Sequence, residues 1–177
     1  MKIKKITFQG WKNCIELTHG EFRIVVTTEV GPRIVGAFLG PKGENLLYLD
    51  KKLLGTSNQK VWTNYGGHRI WHAPEDSVRS YCPDTRRVVM AELRDGGVSF
   101  MAPREELTGI VKTINVYPEG DNSFRIEHQI RNEGLWASAS FAASKSTSPS
   151  PAKITKNPLL CKSRTTLALD TPTESSK

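Results

Sequence analysis

Apolar and polar residues alternate through the first 136 residues in short runs that are separated by turn-forming residues. The run 21–30 places Phe22, Ile24 and Val26 on one face at a period of two, which is typical of a half-buried β-strand. A second run, 33–39, follows after a Gly-Pro break. Because consecutive strands with a short connection usually pair antiparallel, these two runs predict an antiparallel strand pair.

Other short runs of the same character predict further strands at Lys5–Phe8, Cys14–Leu17, Asn45–Leu49, Arg87–Leu93, Val98–Met101, Gly109–Tyr117 and Ser123–Ile130. The sequence Asp-Gly-Gly at 95–97 is typical of a hairpin turn between two of them. No window of helical length has a clear 3.6-residue period without Gly or Pro, so no long helix is expected. The pattern predicts an all-β fold, an antiparallel β-sandwich formed by residues 1–136.

The pattern changes after Trp136. Residues 137–177 contain 15 Ser and Thr, four Pro, no Gly and one aromatic residue, Phe141. Such a composition buries too little apolar surface to offset the entropy cost of ordering the backbone. We therefore expect 137–177 to be a disordered tail. Two origins of the tail remain open. It is either a natural tail or, as the sharper interpretation, a frameshifted or mis-assembled end to a longer domain, because the strand predicted at 123–130 leads into 132–136 as though another strand were to follow.

The net charge of +7 is unevenly distributed and does not indicate a nucleic-acid partner. Residues 1–136 hold 19 basic and 16 acidic side chains, whereas the short segment 137–177 holds 6 and 2. A domain at +3 with interspersed signs lacks the clustered positive charge that a phosphate backbone attracts. We expect no nucleic-acid partner.

Apolar runs are short throughout, and none approaches the roughly 20 residues that cross a bilayer. The basic start of the chain is not followed by the apolar stretch of a signal peptide. Three cysteines at wide spacings form neither a disulfide framework nor a CxxC metal pair. These features predict a soluble, cytoplasmic protein with reduced thiols and no membrane partner.

The densest group of polar and aromatic residues is the segment WTNYGGHRIWHAPE at 62–75. Its two glycines permit a tight bend or a close backbone approach to a ligand. In an extended chain His68 and His72 share one face, while Arg69 and Trp71 lie on the other.

Three interpretations of this segment remain open. A metal site would use His68, His72 and Glu75, but the i,i+4 histidine spacing suits a helix, which the flanking Gly and Pro residues disfavour. A structural role would pack the rings and the guanidinium inside a large sandwich. A carbohydrate site would use His68, Arg69, Trp71, His72 and Glu75, because aromatic rings stack on sugar faces and charged groups bond hydroxyls.

The order of several blocks resembles the N-terminal half of galactose mutarotase-like (aldose 1-epimerase-like) proteins. These blocks are FQGWKNCIEL, VTTEVGPRIVGAF, NLL, YGGHRIWHAPE and HQIRNEGLW, and the match covers about residues 5–136. The block at 65–75 is the specific part, and Gly-Pro-Arg-Ile at 31–34 supports it. The resemblance implies a β-supersandwich with a sugar cleft on one face, a small-molecule sugar as ligand and no cofactor. Arg69 matches the sugar-binding arginine of the family.

Mutarotation needs a base for the anomeric hydroxyl proton and an acid for the ring oxygen. In the family a His and a Glu from strands further along the chain supply them, and neither has a matching position here. The resemblance therefore implies a truncated, catalytically inactive relative of aldose 1-epimerases. His128 lies before that point and is not assigned as the catalytic acid.

Other motifs are weak. Asp84 follows a Tyr-Cys-Pro turn, where it could bond a sugar hydroxyl but more commonly caps the turn. Glu105 and Glu106 are adjacent and would point to opposite faces of an extended chain, so they do not form a carboxylate pair. No P-loop, GxGxxG, GxSxG or HExxH pattern occurs. The second functional hypothesis is a β-sandwich interaction module without a small-molecule ligand.

Overall fold

The computed structural model describes residues 1–134 in full and the backbone of residues 139–144 and 160–167. Strands account for all regular secondary structure in these residues, and no helix occurs among them. The strands are β1 (Lys2–Phe8), β2 (Trp11–His19), β3 (Phe22–Thr27), β4 (Arg33–Leu39), β5 (His68–Ala73), β6 (Val89–Glu92), β7 (Val98–Met101), β8 (Ile110–Glu119), β9 (Ser123–Asn132), β10 (Ala139–Ser144) and β11 (Leu160–Leu167).

Two antiparallel sheets form the fold. The first has the order β1-β2-β3-β4-β5-β10, and the second has the order β11-β9-β8-β7-β6. Neighbours in the chain are mostly neighbours in the sheets, as is usual for sequential strands, although longer segments join β4 to β5 and β5 to β6. The predicted all-β antiparallel sandwich is confirmed. Among the described residues, none lies in a helix that would be able to span a bilayer.

The predicted hairpin at 95–97 is present between β6 and β7. Gly96 adopts a φ of 82°, and the Leu93 N–H donates to the Gly97 carbonyl at 2.8 Å. The strand predicted at Asn45–Leu49 is wrong. The Asn45 side chain there bonds the Val35 carbonyl and the Ala37 N–H at 3.0 Å each. With these bonds and a single backbone bond from the Leu46 N–H to the Ala37 carbonyl, the segment lies beside β4 without forming a ladder.

The main core lies between the two sheets. It includes Leu17 and Ile24 from the first sheet and Ile114 and Ile126 from the second, all completely buried. A second cluster covers the outer side of the first sheet, where Trp11 and Tyr65 pack edge to face with ring centroids 6.2 Å apart. The first sheet is therefore covered on both faces, and residues on alternate positions of its strands meet different surroundings.

The predicted tail contributes two strands. Residues 139–144 pair antiparallel with β5, and residues 160–167 pair antiparallel with β9. A sheet edge leaves a row of unpaired backbone groups, and added strands satisfy them. The expectation of disorder for the remainder of 137–177 lies outside the described residues.

Candidate functional site

Strand β5 carries four of the five predicted site residues, and two glycines place it. Gly66 and Gly67 have φ values of 83° and 71°. A Cβ on Gly66 would lie 2.3 Å from the Tyr48 carbonyl oxygen, and one on Gly67 would lie 2.4 Å from that of Ile34. Only glycine fits this close approach, which brings the chain from the preceding loop into register beside β4.

On the inner face of β5, His68 joins the two sheets. Its Nε2 lies 2.6 Å from Nε2 of His128 on β9, so one ring donates a hydrogen bond and the other accepts it. Both rings are buried, with 1% and 0% exposure. The pKa of His68 is lowered to about 3, mainly by burial and also by the neighbouring His128 and Arg33. His68 is therefore neutral near pH 7.

His72, four residues after His68 in the chain, lies on the same face of β5 near a buried ion pair. The Lys112 ammonium on β8 is 2.5 Å from Oε1 of Glu105, and the side chains are 10% and 11% exposed. The Thr108 hydroxyl donates to the other oxygen of Glu105 at 2.5 Å. Burial lowers the pKa of His72, and the positive charge of Lys112 acts in the same direction. This group is a buried charge network at the sheet interface.

The outer face of β5 holds an arginine between aromatic rings. The Arg69 guanidinium lies 4.2 Å from the ring centroid of Trp71 and 4.8 Å from that of Trp62. The two indole rings pack edge to face, with centroids 5.6 Å apart. The pKa of Arg69 is lowered to about 10, mainly by partial burial and also by the charge of nearby Arg33. The guanidinium therefore stays charged at neutral pH.

Tyr81 and Glu75 extend this aromatic group to the surface. The Tyr81 ring packs edge to face against Trp62 and Trp71, with centroids 5.1 and 5.4 Å away, and is 37% exposed. Its hydroxyl donates to the carboxylate of exposed Glu75. That bond, together with desolvation, raises the pKa of Tyr81. We call Trp62, Arg69, Trp71, Glu75 and Tyr81 the aromatic cluster.

A buried arginine lies beside the cluster. Arg33 on β4 stands directly opposite Arg69 in the sheet register and is completely buried. Its guanidinium donates to the Gly66 carbonyl and to Asp84, each at 2.6 Å. Asp84 is therefore an ion-pair partner that ties the 81–85 turn to β4, which neither predicted role of that residue anticipated.

The structure contains a cavity of about 280 Å³ whose lining includes residues close in sequence to the aromatic cluster. It is lined by residues 59–60, 82–86 and 102–106 together with Gly31 and Lys112. The first two segments are close to the cluster in sequence, because Lys60 precedes Trp62 by two residues and Cys82 follows Tyr81. In space, Asp84 of the lining bonds Arg33, which lies opposite Arg69 of the cluster. We call this cavity the cleft.

The predicted site residues are divided between two places. Arg69 and Trp71 lie in the aromatic cluster, which Glu75 reaches through Tyr81, whereas His68 and His72 face the second sheet. None of the five is a lining residue of the cleft. In the part of the chain that the structure describes, no group of three His, Cys, Asp or Glu side chains is arranged to hold a metal ion.

Sequence reasoning did not assign several residues of this region to a site. Trp62 belonged to the recognised segment, and Tyr81 stood before a turn, but no periodicity joins either to β5. Arg33 gave a usable signal, since a charged residue at the start of an apolar strand needs a buried partner. Comparison with known proteins adds no relative: no family model, no curated protein and no solved structure matches the chain.

Proposed function

We propose that this protein is a carbohydrate-binding domain related to aldose 1-epimerases. The observation that carries the proposal is the Arg69 guanidinium, which lies against the faces of Trp62 and Trp71 and has no acidic partner within ion-pair distance among the described residues. Its donors are held in one orientation by the rings. The block of residues that resembles the mutarotase-like family supplies this arginine.

The aromatic cluster has the components of a sugar site. A partly exposed indole and the exposed Tyr81 ring offer apolar faces to a pyranose ring. The Arg69 donors lie over the Trp71 ring, and the Glu75 carboxylate accepts from Tyr81. Such groups suit hydroxyl groups, which both donate and accept hydrogen bonds. A site of this composition orients a sugar through polar groups and holds it through ring stacking.

Binding without catalysis is the expected activity. The sequence contains four histidines. Three of them, His68, His72 and His128, are at most 4% exposed, and His19 contacts the Gly120 carbonyl at 2.6 Å on a distant turn. A general base must come within hydrogen-bond reach of the proton that it removes. The three histidines of this region are buried, so none is exposed to a sugar on the outer face of β5.

The proposal is tested by saturation-transfer NMR with glucose and galactose on the full 177-residue chain. We expect weak transfer to the sugar protons, and we expect Arg69→Ala to abolish it. Arg131→Ala is the matched control, because Arg131 is half exposed on β9 and forms only a surface ion pair with Glu133. Transfer that survives in Arg69→Ala would remove Arg69 from the site, and the absence of transfer to any sugar would contradict the proposal.

The second candidate is an interaction module without a small-molecule ligand. One observation favours it: His68 and His72 lie among groups of the sheet interface and do not join Arg69 in one concave surface. Val61 and Val78, on the loops that carry the aromatic cluster, are 69% and 67% exposed. This alternative predicts that no aldose binds and that Val61→Asp weakens association with a protein partner.

A further inference from the structure

The cleft beside the aromatic cluster has an excess of hydrogen-bond donors. Four cationic side chains line it, namely Lys60, Arg86, Arg104 and Lys112. Lys112 is 8% exposed, so its charge lies at the floor of the cleft, while Lys60, Arg86 and Arg104 are exposed around it. Cations gathered around a concave surface attract anions more strongly than the same charges on a flat surface.

Every carboxylate that lines the cleft already has a partner. Asp84 pairs with Arg33 at 2.6 Å, Glu105 pairs with Lys112 at 2.5 Å, and Glu106 pairs with Arg86. The Asp84 oxygen that makes no hydrogen bond to a described residue is buried away from solvent. Each carboxylate of the cleft therefore has its charge paired with a cation.

The cations have unused donors. An ammonium group has three N–H donors, and Lys112 uses one on Glu105. Lys60 forms no ion pair with any described residue, and Arg104 reaches Glu133 only at 3.4 Å with both side chains exposed. A ligand group that brings acceptors and negative charge would satisfy these donors through charge-assisted hydrogen bonds, which are stronger than neutral ones.

We propose that the cleft binds an anionic group, a carboxylate or a phosphate, of the ligand whose sugar ring stacks on the aromatic cluster. The sugar part of this inference rests on the proposed function, and the anion part does not. The chain itself joins the two places, because Lys60 and Trp62 share one loop while Tyr81, Cys82 and Asp84 share another. A volume of about 280 Å³ accommodates a carboxylate or phosphate together with part of a sugar ring.

The test is calorimetric titration of the full chain with glucose, glucuronate, glucose 6-phosphate and inorganic phosphate. We expect at least one acidic sugar to bind about tenfold or more tightly than glucose, since a charge-assisted hydrogen bond contributes more than a neutral one. The double variant Lys60→Gln/Arg104→Gln should lose that preference and keep its affinity for glucose. Lys112 is not substituted, because removing its charge would leave Glu105 buried and unpaired.

The control double variant is Lys2→Gln/Lys4→Gln, which removes two charges from exposed positions on β1 that do not line the cleft. Equal affinity for acidic and neutral sugars would overturn the inference and leave the proposed function standing. An acidic preference that persists in Lys60→Gln/Arg104→Gln would also overturn it, because the anion would bind elsewhere. If no sugar binds, the proposed function fails, and the titration with inorganic phosphate tests the anion site alone. Phosphate binding that is lost in Lys60→Gln/Arg104→Gln supports an anion site in the cleft, and the absence of phosphate binding contradicts one.

Discussion

The inner and outer faces of β5 receive alternate residues of one strand but have different surroundings. On the inner face, His68 and His72 are buried against the second sheet, with a histidine and an ion pair as neighbours. On the outer face, Arg69 and Trp71 meet rings from two loops, and Tyr81 and Glu75 carry that group to the surface. The comparison teaches that a dense polar-aromatic motif need not form a single site. The inner half stabilises the sandwich, and the outer half is the part available to a ligand.

The largest expected effect is on stability, and it distinguishes the buried ion pair of Glu105 from the exposed ion pair of Glu106. Glu105→Gln leaves Lys112 charged and about nine-tenths buried, which should cost about 3–5 kcal/mol of unfolding free energy. Glu106→Gln is the matched control, because its ion pair with Arg86 is 78% and 54% exposed and should contribute about 0–1 kcal/mol. Urea denaturation of both variants measures the difference. Similar losses for the two substitutions would contradict the structural role assigned to the buried ion pair beside His72.

Acid should destabilise the inner face. His68 titrates at about 3 in the folded chain and at 6.5 when exposed, so the unfolded state binds more protons between these values. Its contribution to stability is complete above about pH 6.5 and is lost as the pH falls towards 3. The loss at pH 4 is about 3 kcal/mol.

The measurement for this effect is urea denaturation at a series of pH values between 7 and 4. His68→Gln is the control variant, since it keeps a polar side chain but does not titrate. It should show a smaller loss of stability than the unmodified chain over the same interval. Identical pH dependence in the two proteins would show that His68 is not the titrating group.

A smaller stability effect is expected on the outer face. Arg69→Ala removes two cation–π contacts from a partly exposed position, and each such contact contributes about 0.5–1 kcal/mol. The loss should therefore be about 1–2 kcal/mol, well below that of Glu105→Gln, and the variant should stay folded for binding assays. Thermal unfolding followed by circular dichroism checks this, and a loss as large as that of Glu105→Gln would indicate that Arg69 is mainly structural.

No catalytic effect is expected from either face. Polarimetry of freshly dissolved glucose should give the same mutarotation rate with and without the full chain, because the inner-face histidines are at most 4% exposed. A rate well above buffer that disappears on substitution of His68, His72 or His128 would show that a sugar reaches the inner face.

The sequence correctly predicted which side chains of β5 share a face, because side chains of a strand alternate between its two faces with a period of two. It also predicted the sandwich and the turn at 95–97. The strand expected at 45–49 is absent for a local reason: the Asn45 amide takes two of the backbone groups of β4, and only the Leu46 N–H makes a backbone bond to that strand. The strand propensity of a segment does not reveal that a side chain will bond the backbone groups of the neighbouring strand.

The remainder of the site depends on contacts between distant parts of the chain. His68 and His128 are 60 residues apart, and Arg33 and Asp84 are 51 apart. Spacing within one strand carries no information about such partners. The sequence therefore indicated which residues of β5 share a face, but not that the second sheet would enclose one face or that Tyr81 would complete the other.

The most direct test of the division between the two faces is side-chain NMR during titration with an aldose. The indole N–H signals of Trp62 and Trp71 should shift, whereas those of Trp11, whose Nε1 donates to the Thr56 carbonyl at 2.8 Å, should stay fixed. The imidazole signals of His68, His72 and His128 should also stay fixed. Shifts confined to the imidazoles, with the Trp62 and Trp71 signals unchanged, would contradict the account.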